Sequence, residues 1–487
     1  MQRLLIIPMF LYVLLTGLAF GVNPIIGTAL IVAPVLAFVV FRYPEMSLIS
    51  ICFFIPFDRL TIILPQAGLT ITKILILFTL AAWAVRVLLH RDEYALLAFV
   101  NQPTTLFVLA YFAIIVIGVS QAKDIDMSMF FITKRLSLII FYFLIVNLLR
   151  SMKAVNRSIN AMLIASVFIC LIGLYEFLTG NQFLPRTVRG SELAMTFEGS
   201  ARIQACAGHS NFHSAILVLL LPFLLMRFEQ VHTVGRKVIL GGVVLLYVIN
   251  IFGTNTRQGM LCMLTAFAGT YLLQKVRHRG RKITLGVTAG AIALAVFAMI
   301  PGKVDVSRYS GQSGLKSVEY RLAWIEMSWE MIKDRPVLGV GTGNYYSEYS
   351  RYRRFDSTMA TPKRVVNHNG IMQIWAENGT IGMLILLALL GSPLYVLVRT
   401  IRITDDDDCR ASSTAVLISH CNYILLIGII PMLEHEVGWI VLALSTALGN
   451  IGMGRVHRTS LLEAPSRPHP ALPREHGPAP KLGPAAG

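Results

Sequence analysis

Residues 365–400 read VVNHNGIMQIWAENGTIGMLILLALLGSPLYVLVRT. Their second half, 380–400, carries one charged residue, Arg399, and is as long as the roughly 20 mainly apolar residues that a bilayer-spanning helix requires. The first half is different. It places His368, Glu377, three asparagines and two glycines directly before that span. A chain entering a membrane has no need of these residues for insertion, so this polar approach asks for another explanation.

The rest of the chain repeats the apolar half of the pattern. Of 487 residues, 55% are hydrophobic and 14% charged, and the mean hydropathy is +0.65, which excludes an ordinary soluble globule. Spans are predicted at 4–22, 25–41, 46–64, 70–89, 104–121, 130–149, 158–178, 210–228, 237–253, 258–275, 283–301, 380–400, 411–431 and 436–452, with the second and third the weakest. The expected fold class is therefore all-α and polytopic, with 12 to 14 transmembrane helices. The first span has no small-residue cleavage site and is read as a retained helix. The six cysteines imply no disulfide framework.

A formal charge of +17 would suit nucleic acid in a soluble protein, but here its placement sets topology. The dense cluster Lys275–Lys282 is assigned to the cytoplasm, and counting outward puts Arg150, Lys153, Arg157, Arg227, Arg236, Lys237, Arg399 and Arg402 on the same side. No nucleic-acid partner is expected. Both termini fall inside, while 179–209, 254–257 and the long loop 302–379 fall outside. The organisation follows: N-terminal helices at 1–178, a membrane region at 179–454 containing that loop, and a proline-rich tail at 455–487 expected to be disordered.

The outer loop holds most of the chemistry. Residues 317–334 have helical periodicity, with Val318, Leu322, Ile325, Trp329 and Ile332 on one face, as in a helix lying on a bilayer. Arg321 borders that stripe and either snorkels to the headgroups or binds an anion. The helix must end at Asp334-Arg335-Pro336. Gly339–Gly343 follows, either as a tight turn or as a phosphate-binding nest. Asn367 or Asn369 caps a short helix through Trp375, Asn378-Gly379 breaks it, and Glu377 suits the dipole of the helix that follows. Capping requires asparagine but not histidine, and this singles out His368.

Two more arginines, Arg202 and Arg257, map to the same outer face. Arginine at membrane depth is costly unless paired or facing a polar cavity. Its planar fork suits a diphosphate, and a histidine nearby can accept a proton from an attacking hydroxyl. The order of Arg257 in TNTRQG, Tyr320-Arg321-Leu322-Ala323-Trp324, DRPVLGVG at 334–341, His368-Asn369 and ENGTIG at 377–382 resembles the O-antigen ligase and polymerase family. That resemblance runs from about Arg202 to Gly382. It implies a metal-independent membrane glycosyltransferase of the GT-C type, without cofactor, acting on undecaprenyl diphosphate-linked glycans at the periplasmic face. Carried over by motif, it implies catalytic roles for His368, Arg321 and Arg257, diphosphate contacts from Arg202, Arg257 and Arg321, and supporting roles for Glu377, Asn367 and Asn369. Where relatives often show Arg-x-x-Gly and then Asn-Pro-Asn, this chain has Arg202-Ile203-Gln204-Ala205 and His209-Ser210-Asn211.

The acceptor implied is a glycan or lipid A-core sugar for a ligase and the next repeat unit for a polymerase. A protein hydroxyl is a third option. A lipid-linked oligosaccharide flippase is the rival of another class, since such carriers also have twelve to fourteen spans. Three other clusters compete for attention. His209 and His213 stand at i, i+4 but lack the glutamate of a zinc-protease helix. Glu434-His435-Glu436 reads as a polar outer turn, and Asp405–Asp408 as a solvated cytoplasmic charge run.

Overall fold

The computed structural model describes residues 38–57, 60, 62–64, 69–89, 103–184, 202–273, 312–352, 367 and 369–463. The expected spans 4–22 and 283–301, most of 25–41, the basic cluster 275–282 and the tail from 464 lie outside the described residues.

The fold is a bundle of apolar helices. In chain order these are α1 (Pro44–Phe54), α2 (Ile71–Leu89), α3 (Pro103–Gly118), α4 (Ile125–Leu148), α5 (Met152–Thr179), α6 (Ser210–Gln230), α7 (Val234–Gly253), α8 (Arg257–Leu273), α9 (Gln312–Asp334), α10 (Tyr345–Tyr352), α11 (Gly370–Ile403), α12 (Asp407–Ile427) and α13 (Glu436–Glu463). Eight of the described helices are long and apolar enough to cross a membrane: α2 to α7, α11 and α13. The protein is an all-α polytopic membrane protein.

Several helix starts follow from capping. Asp124 accepts the Met127 amide before α4, Ser151 that of Ala154 before α5, and Asp406 that of Cys409 before α12. Asp406 thus gives part of the acidic run a local structural use, and Asp407 pairs with Arg410 at 2.8 Å. After α5, Gly180 takes the left-handed conformation common beyond helix ends, with φ 74°.

Helices α6 and α13 form the buried centre, and α2 and α7 leave much of their surface outward. α12 packs on α6, α11 and α13; α4 packs on α13; α11 also lies along α3. The outward surfaces are apolar, including Leu88 and Leu89 on α2 and Val238 and Ile239 on α7, as expected where lipid replaces water.

Three boundaries differ from expectation. The span predicted at 46–64 is instead the short helix α1, a 3-10 turn at Ile55–Phe57 and a strand, Ile62–Leu64, paired antiparallel with Leu69–Thr70. Pro56 lacks an amide proton and obstructs helical continuation, so hydrophobicity there does not become helix length. The last helix runs to Glu463, past the boundary expected at Gly454. Helix α9 begins at Gln312, five residues before the predicted start.

The break predicted at Asn378-Gly379 is present. Helix α11 counts 34 residues, about 51 Å at the α-helical rise, but Gly379 has φ 66° and ψ −169°, dividing it into an outer piece and the span beyond. A Cβ at Gly379 would stand 2.1 Å from the Val337 carbonyl oxygen, so the site excludes any side chain.

Candidate functional site

The helix ends fall into two groups. One end of the bundle gathers the α3–α4, α5–α6, α7–α8 and α12–α13 connections with the glycine loop and the start of α11, and the described ones among the predicted site residues lie at this end.

Arg202 lies in a strap, 202–207, docked on this end. Its Nε donates to the Thr254 carbonyl at 2.9 Å, and the Ile203 amide donates to Gly253. The strap is fixed by Glu176 at the end of α5, whose Oε2 accepts the Gln204 and Ala205 amides at 2.8 Å each, while Oε1 accepts that of Phe183. Arg257 follows Thr254 by three residues and opens α8, exposed. Arg321 on α9 is half-buried. Burial depresses its pKa, and the positive charge of Arg257 depresses it further. Three arginines separated by more than a hundred residues of sequence thus share one region, and at least two of them repel. An anion between Arg257 and Arg321 would relieve that repulsion.

The orientation of α9 revises the predicted stripe. Leu322, Ile325 and Trp329 face outward, while Met327, Ser328, Met331 and Ile332 pack inward. Ile332 therefore belongs to the inner face, and the side chain of Val318 lies outside the described residues. Arg321, seven residues before Ser328 and four before Ile325, is half-buried at the border between the inward face and the outward apolar stripe.

The approach to α11 is held from two sides. Asn369 caps the helix, its Oδ1 accepting the Ile371 and Met372 amides at 3.1 and 3.0 Å. Asn367 is fully buried: its Nδ2 donates to Ser328 Oγ at 2.9 Å and its Oδ1 accepts the Asn369 amide at 2.8 Å. His368, between them in sequence, lies outside the described residues. Trp375 packs edge-on against Trp329.

The glycine loop is a turn. Gly339, Gly341 and Gly343 all have positive φ, at 74°, 107° and 72°. Its amides are already engaged: Gly339 donates to Arg335, Val340 to Ala376, Gly341 to Glu377, Thr342 to Gly118 and Gly343 to the Glu377 carboxylate. No converging set of free N–H groups remains for a phosphate, so the nest reading is excluded. Asn344 completes the seam, with Oδ1 accepting the Lys123 and Asp124 amides and Nδ2 donating to Ser128 Oγ.

Glu377 needs a correction. It was expected to face the dipole of the following helix, but it is fully buried and its charge is answered by Arg135 of α4, with Nη2 3.6 Å from Oε2. Gly343 N and Gln373 Nε2 also donate to it, at 3.0 and 2.9 Å. The same Arg135 Nη2 lies 3.5 Å from Glu434 Oε1, and Lys134 Nζ lies 2.7 Å from Glu434 Oε2. Glu434 is thus an anchor and more than a polar turn. Burial raises its pKa, but Lys134 and Arg135 outweigh that effect and hold it below the usual carboxylate value.

Sequence reasoning passed over Arg135 and Glu176 and read Glu434 only as part of a polar turn. The signal for the first was present, since Lys134-Arg135 lies within the predicted span 130–149, where charge marks a functional or paired residue. The histidine pair is otherwise occupied: His209 caps α6 through Nδ1, and His213 Nε2 bonds to Asn250 Oδ1 at 3.1 Å. Among the described residues no group of three or more histidines, cysteines and carboxylates is placed to hold a metal.

The architecture and this polar end define a polytopic membrane protein with a group of arginines beside a buried ion network. Residues 242–387, about 30% of the chain, match the family model described as O-antigen ligase. Curated proteins give no match to the chain. The matched segment contains Arg257, Arg321, His368 and Glu377, whereas Arg202, Arg135 and Glu434 reach the same end from outside it. That match supports a function of the O-antigen ligase or polymerase type in general.

Proposed function

We propose that the protein transfers a glycan from undecaprenyl diphosphate to an acceptor hydroxyl, on lipid A-core or a related surface glycan, at the periplasmic face of the bacterial inner membrane. The observation that carries this reading is the match of residues 242–387 to the O-antigen ligase family model, with Arg257 and Arg321 inside the matched segment and Arg202 tied to the Thr254 turn just before Arg257. Guanidinium groups stabilise a departing diphosphate where its charge develops. His368 accepts or orients the proton of the acceptor hydroxyl as it attacks the anomeric carbon with inversion, and Asn367 and Asn369 support the turn on either side. The reaction proceeds without a divalent metal. A polymerase joining repeat units is the alternative within the family, and the two differ in the acceptor.

Transfer measured in purified membranes with a lipid-linked donor tests the reading. His368→Ala is expected to lower the rate by about 10²–10⁴-fold with membrane insertion and donor binding retained. Near-normal transfer by a well-expressed variant removes His368 from the mechanism. Loss of activity in EDTA, restored by magnesium or manganese, overturns the metal-independent form. In a deletion strain, accumulated lipid-linked polymer identifies a ligase and accumulated single repeats a polymerase. Unaltered surface glycan, with lipid-linked oligosaccharide retained at the inner leaflet, identifies a flippase.

A further inference from the structure

Arg135 is an unusual structural arginine. It is almost completely enclosed, yet only Nη2 reaches its two carboxylates, and among the described residues Nε and Nη1 have no hydrogen-bond partner. Enclosed ion networks of this kind are often no more stable than apolar packing of the same volume, so stability alone is a weak reason for one here. What the network does hold is geometry.

A ladder leads from Arg135 to the α11 cap. Arg135 meets Glu377; Glu377 Oε1 accepts from Gln373 Nε2; and the Gln373 amide donates to the carbonyl of Asn369. Residues 369, 373 and 377 stand at i, i+4 and i+8, one stripe of a helix. A second arm reaches the neighbouring position from the arginine side, because Asn367 is bonded to Ser328, seven residues along α9 from Arg321. The positions flanking His368 are thus referenced to α4 through one arm and to the Arg321 helix through the other.

We infer that Arg135, acting through Glu377 and Gln373, is a positioning residue for the transfer reaction: it sets the α11 cap against the Arg257–Arg321 pair. This rests on the proposed transfer. Because Arg135 engages its carboxylates through Nη2 alone, at distances set by charge attraction and not by a two-pronged fork, lysine preserves the essential interaction and glutamine does not.

The test uses the full-length protein in one detergent. Arg135→Gln and Gln373→Met are expected to lower turnover at least tenfold with donor KM within about twofold of wild type, and Arg135→Lys is expected to recover most of that loss. Gln373→Met keeps the Arg135, Glu434 and Lys134 contacts and is the variant that separates positioning from folding. Turnover that falls only in step with folded protein, or a change confined to donor KM, overturns the inference. Amide exchange at Ile371 and Met372, whose protons bond to the cap, supplies a readout independent of activity: it is expected to accelerate in Arg135→Gln and Gln373→Met. If wild type shows no transfer, the functional proposal falls; if exchange at those two amides is also unchanged in the variants, the mechanical link falls with it.

Discussion

Two cationic regions lie at the same end of the bundle and are built on opposite principles. Arg257 and Arg321 lie close enough for the charge of the first to lower the pKa of the second, and Arg257 is exposed while Arg321 is half-exposed. Around Arg135, two cations face two carboxylates, and the arginine is enclosed. Repelling cations hold a shape poorly but receive an anion well. Cations matched by carboxylates hold a shape and offer little to a ligand. Local charge balance, more than the presence of arginine, separates the site from the frame around it.

The comparison is broken most directly by exchanging the two outcomes. Arg135→Met leaves Glu377 buried without its cation and is expected to cost about 3–5 kcal/mol, read as a lowered melting midpoint of the purified protein. Wild-type stability would show that Arg135 is not part of the frame. Arg321→Lys is expected to do the reverse, leaving the midpoint unchanged while transfer falls roughly ten- to hundredfold, the loss of about 1.5–3 kcal/mol of charged hydrogen bonding. Equal activity across donor concentrations would show that Arg321 supplies only a diffuse charge.

Smaller effects sharpen the boundary between the regions. Gly341→Ala places a Cβ 2.6 Å from the Ala122 backbone at a φ of 107°, and is expected to cost about 1–3 kcal/mol of stability. An unaffected midpoint would mean that the loop is not clamped between α3–α4 and α11. For Glu434, whose folded carboxyl lies below its ordinary value, the stabilisation is present at neutral pH and is lost as pH falls through that depressed value. A midpoint lower in acid than near neutrality, with the difference reduced in Glu434→Gln, is the expected result. Arg335→Gln should change stability by no more than about 0.5 kcal/mol and leave transfer near wild type, since Arg335 makes one long bond, 3.4 Å, to the Gln121 carbonyl. A large loss there would extend the site beyond α9.

Hydropathy made most of the spans legible, and the asparagine–glycine break in α11 was legible because both residues oppose helix continuation in a known way. The α1 region was misread because a proline inside an apolar run leaves its hydropathy high while ending its helix. Arg202, Arg257 and Arg321 could be grouped in the sequence because the charge count places all three on the same expected side of the membrane. Arg135 was concealed by its apolar neighbours, and its partners lie more than 200 residues away, a pairing that no local spacing encodes. The face of α9 was also beyond periodicity, since apolar residues occur on both sides of it and only tertiary packing selects which side is buried.

Helix α9 carries Leu322, Ile325 and Trp329 outward and half-buried Arg321 at the border of that stripe within the same two turns. Successive residues differ in angular phase by about 100°. Deleting one residue between Arg321 and Ser328 would therefore rotate everything upstream by that angle and swing the arginine out of alignment with Arg257, while composition and charge stayed nearly the same. Adding four residues would leave a phase error of only about 40° but move Arg321 about 6 Å along the axis. The segment has no length change that preserves both phase and height, so tolerance to insertion and deletion should vanish there even where single substitutions are accepted.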